Sequence, residues 1–488
     1  MTTTPLASLL AEADARADAG DWQRAIERLE DILAQDREWA EMQGVPLQLA
    51  RCRVEAAAEA GLEAIEPPGG RRRGSEREQH LIQRVRIRAV ELCRAGDSRR
   101  ASRLLRLLAD YDDAIRGTLD DMLPSGSPAA AQPIVAGPSF LDDPTLSNAA
   151  VERAKQRFAG ARVLIVYRQL FTDRPERCCD PVDNFDRSAR RFGLTTQVVN
   201  SHYPPAGVDG AGYASWLQDQ ILSFRPQVIL YDDLFETGVS AWNPEIADQL
   251  GAVLEGVRQH LGVRVVKSLL DAWYVQLCGQ NRPFHGIGAT VDLLHHLHPS
   301  LSWEQSAIER AVSFCYPMPF ELPRPTVPWG TKARACFVGS ISWASIARVV
   351  WRAEIGKRGL PFDFLESDHQ AAVLRSDQDY ANRFHEYQLS VNITRRSNGV
   401  RILLGRSIDI PLSEGVLLEE ASPNSAYFLA PGIHYEPFTT LDELQGLIDD
   451  LLRSETRRRS LAREGNRWVT EHFTGDRFWA GLLARLFT

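Results

Sequence analysis

The sequence predicts an α/β protein in three parts: an all-helical amino-terminal region, then two units that are each a doubly wound parallel sheet. Three observations carry this. Apolar residues recur at helical spacing through residues 1–123. Pro124, Gly126, Pro128, Pro133, Gly137, Pro138 and Pro144, with a run of Ala, give 124–148 the composition of a linker. From residue 149, short apolar strands alternate with helical stretches in two successive sets.

In the helical region, Trp22, Ile26, Leu29, Ile32 and Leu33 mark one apolar helix face. Ahead of them Ala19-Gly20-Asp21 reads as a turn ending in an N-cap Asp. The signal returns 76 residues later as Ala95-Gly96-Asp97, before Ala101, Leu104, Leu105 and Leu108. The stretch from Ala19 to Leu33 resembles a tetratricopeptide repeat, a plain helical bundle being the alternative. Between Arg71 and Arg106 there are 12 Arg against 4 acidic residues. That excess reads as a solvated helix face and basic loop, or as a docking surface for an acidic protein segment.

The first α/β set, 149–325, has strands at 162–167, 196–200, 227–231, 263–266, 291–294 and 312–315, with helices such as 212–223, 243–260 and 303–310. Pro317, Pro319, Pro323, Pro325 and Pro328 interrupt the pattern. The second set, 326–488, has strands at 335–338, 362–365, 389–392 and 416–418, and an amphipathic helix through Leu441, Leu444, Ile448, Leu451 and Leu452. Two such sheets in tandem leave a cleft faced by strand C-termini and helix N-termini.

With 488 residues, 44% hydrophobic and 25% charged, the composition is globular. A net charge of −8 argues against general binding to nucleic acid or anionic membrane. No run of 18 apolar residues exists, and the first residues lack the pattern of a signal peptide. Seven scattered cysteines, Cys178 and Cys179 adjacent, fit free thiols in a reducing cytoplasm.

Val338-Gly339-Ser340 closes an apolar strand. A small-residue turn there lets backbone N–H groups approach a phosphate, with a following helix aiming its N-terminus at the same point. His295-His296-Leu297-His298 invites a metal reading, but only His296 and His298 share a strand face and no Cys or carboxylate stands at ligand spacing. Asp377-Gln378-Asp379 precedes a helix and reads as capping. No metal or cofactor is expected.

In order along the chain stand Phe337-Val338-Gly339-Ser340, Val391-Asn392-Ile393-Thr394-Arg395, Arg406-x-x-Asp409, Gly415-Val416-Leu417-Leu418, Ala430-Pro431-Gly432, Asp442-Glu443-Leu444, and a close at Leu461–Gly465 and His472-Phe473-Thr474. Residues 335–488 thereby resemble the CgeB-like group of family 1 glycosyltransferase domains, and residues from about 161 onward a GT-B glycosyltransferase. The resemblance implies two Rossmann-like domains facing a cleft, and transfer of a sugar from a nucleotide-diphosphate donor without a metal. It implies Gly339, Ser340, Arg395 and Arg406 at the diphosphate, with Asp409, where the family has Glu, or Glu414 on ribose or sugar hydroxyls. Asp271, at a strand end of the first sheet, is the candidate general base, with Asp232-Asp233 as the alternative. The helical region is expected to recruit the acceptor, plausibly a protein. The rival expectations are a non-catalytic interaction protein of the same fold and a nucleotide-sugar epimerase or hydrolase.

Overall fold

The computed structural model describes residues 5–36, 45–59, 76–123, 143–167, 181–200, 210–232, 244–269, 291–297, 312–341, 346–366, 376–395 and 405–487, with residues 40, 43, 140, 299, 401 and 403. The region begins with helices α1 (Pro5–Asp18), α2 (Trp22–Gln35), α3 (Val45–Glu59), α4 (Glu76–Arg94), α5 (Ser98–Leu108) and α6 (Asp113–Met122). The two Ala-Gly-Asp turns have one geometry. Gly20 and Gly96 take φ of +79° and +81°, where a Cβ would be strained, and each ends one helix while the next Asp starts another. The Asp97 side chain accepts from the Arg100 N–H as expected, whereas Asp21 makes no such bond and instead pairs with Arg16 at 3.3 Å.

Helices α1–α3 share one core, built on Leu10, Ala13, Leu29, Ile32 and Leu49. Helices α4–α6 have a different attachment: Leu104, Leu105, Leu108 and Ile115 join the core of the second sheet, against Val349, Val350 and Ala353 of α11 (Ile346–Arg358). The seam is also polar. The buried Glu354 carboxylate accepts from Ser102 Oγ and from Arg106 Nη2 at 3.1 Å. A Cβ on Gly356 would lie 2.8 Å from that of Ser98, so the helices meet there only because the residue is Gly. Five of the 12 arginines between Arg71 and Arg106 are paired internally: Arg84 with Asp18, Arg86 with Asp112, Arg88 and Arg100 with Glu55, and Arg106 with Glu354. Of the two readings of this basic stretch, a solvated face or a docking surface, neither describes these five arginines, which are held in ion pairs with neighbouring helices. Arg71, Arg72 and Arg73 lie outside the described residues.

The first sheet has the order β2-β1-β3-β4-β5-β6, all parallel: β1 Arg162–Tyr167, β2 Thr195–Asn200, β3 Val228–Asp232, β4 Arg264–Leu269, β5 Leu293–His296 and β6 Val312–Cys315. The five residues of β1 after Arg162 are all buried, as a strand covered on both faces must be. Helices α7 (Asn148–Phe158), α8 (Pro181–Phe192), α9 (Gly210–Phe224) and α10 (Pro244–Leu261) belong to this lobe. The expected helix 303–310 lies outside the described residues. The second sheet has the order β11-β10-β9-β7-β8, again parallel: β7 Lys332–Gly339, β8 Phe362–Glu366, β9 Tyr387–Asn392, β10 Leu417–Glu420 and β11 Glu436–Phe438. Its further helices are α12 (Asp377–Glu386), α13 (Gly405–Leu412), α14 (Pro423–Phe428), α15 (Leu441–Arg453) and α16 (Glu455–His472). The fold is therefore two Rossmann-like units in one chain, as expected, each a parallel sheet with helices around it.

Two boundaries differ from the composition-based expectation. The chain does not stay in the second unit to its end. The last helix, α17 (Gly475–Leu486), packs on the first: Phe478 meets Phe185, His295 and Phe314, and Trp479 Nε1 donates to Ser188 Oγ at 2.9 Å. Nor is the Pro-rich stretch a bare tether throughout. Phe140 is buried among Tyr316, Phe428, Trp468 and Phe473, and Asp143 pairs with Arg485 of α17. Residues 124–139 lie outside the described residues. Composition could not foresee this, because one aromatic in a stretch of Pro, Ala and Gly decides it. Phe140→Ala is expected to lower unfolding free energy by about 3 kcal/mol in a urea titration. A loss below about 1 kcal/mol would mean the ring merely rests on the surface.

Candidate functional site

The carboxyl edge of the second sheet gathers the candidate residues. Strands β7, β9 and β10 end there at Gly339, Asn392 and Glu420, and α11, α13 and α14 start beyond those ends. Helix N-termini present unsatisfied N–H groups and a partial positive charge, so this edge favours an anion.

Gly339 and Arg406 meet. A Cβ on Gly339 would run into the Arg406 guanidinium, with Cζ at 3.2 Å, and into Phe337 Cε1 at 3.3 Å. The φ of +154° at Gly339 is itself one that side chains rarely adopt. Arg406, in the first turn of α13, lies over the Phe337 ring at 4.9 Å and donates from Nε to Asn392 Oδ1 at 3.0 Å. Asn392 in turn donates to Ser407 Oγ at 3.0 Å and to Glu419 Oε2 at 3.1 Å, and Glu419 accepts from Ser425. Burial pushes the Glu419 carboxyl up, with hydrogen bonds and Arg406 opposing. The result is a cation stacked on one face, held on one edge and backed by a buried polar network. Such an arrangement fixes a charge in place before any ligand arrives.

Ser340 is half-buried beside this point, and its carbonyl accepts from Arg348 Nη1 at 3.0 Å. Asp409 lies three residues along α13 from Arg406, buried beneath Tyr380, whose hydroxyl donates to it at 3.2 Å. Burial raises its carboxyl to about 7, against the pull of Tyr380 and Arg406. In the first unit, burial raises the Asp183 carboxyl of α8, with Arg187 opposing and Asp186 and, least, Asp377 adding to the rise.

Two expected donor residues have other surroundings, one at the far end of the sheet and one at the same edge but already paired. Glu414 follows α13, at the opposite end of the sheet. Its φ is +56°, its carbonyl accepts from Trp329 Nε1 at 2.9 Å ahead of β7, and its side chain is partly exposed. It shapes the turn into β10. Arg395 stands just past β9, but its charge is already matched, by Asp121 of α6 and by Glu420 Oε1 at 3.4 Å. Asp271, Asp233 and His298 lie outside the described residues. His295 and His296 serve the interior: His295 bonds Ser268 Oγ at 2.8 Å and the Tyr316 carbonyl at 2.7 Å, and burial lowers the two rings to about 4 and about 3. Among the described residues no group of three metal-ligating side chains occurs, and no helix is long and apolar enough to cross a membrane. Asp377 and Asp379 occupy the first turn of α12 behind the Ser376 cap, as expected. Sequence reading missed Glu419, Glu420, Ser407 and Ser425. The available signal was Leu417-Leu418-Glu419-Glu420, two carboxylates closing an apolar strand.

Residues 327–484 match the family described as "Glycosyl transferase-like". The matched stretch spans the site described above. No curated protein matches the chain. Among solved structures, Anabaena HepE in complex with UDP and glucose is 10% identical, covering 66% of this chain and 98% of its own, with a TM-score of 0.40. Sucrose-phosphate synthase from Thermosynechococcus elongatus is 10% identical over 67% and 98% at 0.45. An O-GlcNAc transferase mutant of Thermobaculum terrenum is 13% identical over 99% and 97% at 0.38.

The Asp409 environment has a pH consequence. Its carboxyl titrates at about 7 when folded against 3.8 as the ordinary value. Folding therefore takes up a proton between those values, and this group's contribution to stability falls as pH rises through the window and is flat above it. Asp409→Asn keeps a neutral side chain at every pH. It is expected to be more stable than the parent at pH 8, with the advantage shrinking towards pH 5. An equal difference at both pH values, read from denaturant midpoints, would contradict a raised pKa.

Proposed function

We propose that the protein is a glycosyltransferase whose second unit grips a nucleotide-diphosphate sugar. The observation that carries the reading is the Arg406 guanidinium, stacked on Phe337 and tied to Asn392, lying over the bare backbone of Gly339 at the strand ends. The family match over 327–484 supports it. In this reading the diphosphate lies between Gly339, Ser340, the start of α11 and Arg406. As the glycosidic bond to the diphosphate breaks, negative charge collects on the leaving oxygen, and Arg406 with the helix N-termini stabilises it without a metal. Asp409, half-protonated near neutral pH and next to Arg406, completes the polar wall and is assigned to ribose or sugar hydroxyls.

The first unit presents its own strand ends to the acceptor. Asp271, two residues beyond β4, is the proposed base that takes the acceptor's proton. Helices α1–α3 have a core separate from that of the second unit, which supports a binding role for that part, with a protein acceptor as the proposed occupant.

The test is a screen of nucleotide-sugars against purified protein, reading released nucleoside diphosphate with and without candidate acceptors. Arg406→Ala is expected to weaken donor binding and to cut kcat about 100-fold or more. Asp271→Asn is expected to leave donor affinity intact and lower kcat by about 100-fold or more. Full turnover in Arg406→Ala would misplace the site. Donor breakdown that no acceptor accelerates would favour a hydrolase, and the absence of any donor-induced thermal shift would favour a non-catalytic binding protein.

A further inference from the structure

The contact between α6 and the end of β9 goes beyond packing. Asp121, in the last turn of α6, accepts from Arg395 and from Arg401 Nη2 at 2.8 Å. The same two guanidinium groups reach Glu420 Oε1 from their Nε atoms, each at 3.4 Å. Glu420 also accepts from the backbone N–H of Thr394 at 3.1 Å and of Arg395 at 2.9 Å. Arg395 and Arg401 are themselves bridged as antiparallel partners. Two cations and two carboxylates thus close a neutral square, three of its corners in the second unit and the fourth in the helical region.

The position of this square matters more than its strength. Glu420 directly follows Glu419, the residue that orients Asn392 and through it Arg406. Thr394 and Arg395 stand two and three residues beyond Asn392, just past the end of the same strand. Displacing Arg395 and Arg401 would leave the buried Glu420 carboxylate with excess negative charge next to that network, so the segment would rearrange. Asp121 is half-exposed while Glu420 is sealed. The helical region therefore supplies the most exposed corner, with Arg401 beside it partly exposed.

We propose that Asp121 is a positioning residue for the donor site: by clamping Arg395 and Arg401 it holds the end of β9 in the form that orients Asn392 and Arg406. This rests on the donor reading above. It makes donor affinity depend on a residue outside both sheets, and gives the helical region a thermodynamic route to the site.

The experiment uses the full chain and measures the dissociation constant of UDP, or of whichever nucleoside diphosphate the screen identifies, together with donor KM and kcat. Asp121→Asn is expected to weaken nucleotide binding about tenfold, within the usual range for coupled sites, and to raise donor KM in step with little change in kcat. Asp121→Glu restores the charge and is expected to recover most of the affinity. Combined with Arg401→Ala, Asp121→Asn should add little further loss, because both break one clamp. Glu354→Ala is the control for the seam itself: it should lower the melting temperature and leave nucleotide affinity within about twofold. Unchanged or tighter nucleotide binding in folded Asp121→Asn would overturn the proposal, as would an equal affinity loss in Glu354→Ala. Should Asp121→Asn fail to fold, Arg401→Ala alone carries the same expectation and the same contradiction. If the wild-type chain binds no nucleoside diphosphate, the donor reading fails first, and that outcome is distinct.

Discussion

A guanidinium occupying the space that a missing side chain leaves is the constraint on which the candidate site depends. Gly339 ends its strand with no Cβ, and Arg406 fills the gap, stacked on Phe337 and tied to Asn392. Any larger residue at 339 moves the cation. Any change at Asn392 frees its edge. The buried Glu419, Ser407 and Ser425 then have meaning as the backing that keeps Asn392 turned towards Arg406. Placing a fixed positive charge at converging helix N-termini suits a ligand that arrives with a diphosphate and leaves with more charge on it.

The rest of the fold fastens parts around that edge. The second unit is covered on one side by α4–α6, welded to α11 through apolar packing, the Glu354 carboxylate and the close approach at Gly356. The first unit is tied back by α17, whose Phe478 and Trp479 enter its core, and by Phe140. The helical region is thus two things. Helices α1–α3 keep a core of their own, while α4–α6 share one with the sheet. Only the latter are placed to influence the strand ends, through Asp121.

Much of this was legible in the sequence. Strand positions came from short apolar runs, because strands buried on both faces need no polar residues. The paired Ala-Gly-Asp turns came from a glycine that must take positive φ. Gly339 was legible as a small-residue turn after a strand and Arg406 only through the family resemblance, and the structure brings the two together. Glu414 was not: its reading came from spacing beside a glycine, and spacing does not say which end of the sheet a helix returns to. Arg395 was not, because its partner Asp121 is 274 residues away. Phe140 and α17 escaped for the same reason, since which unit a terminal segment packs on is decided by distant surfaces rather than by local pattern.

The most direct measurement is calorimetric titration of a nucleoside diphosphate into wild-type protein and Gly339→Ala, with melting curves for both. The account holds that one added methyl displaces Arg406, so affinity should fall by tenfold or more (about 1.4 kcal/mol at least) while the protein remains folded. Equal affinity in a folded Gly339→Ala protein would show that the anion does not bind where the guanidinium lies.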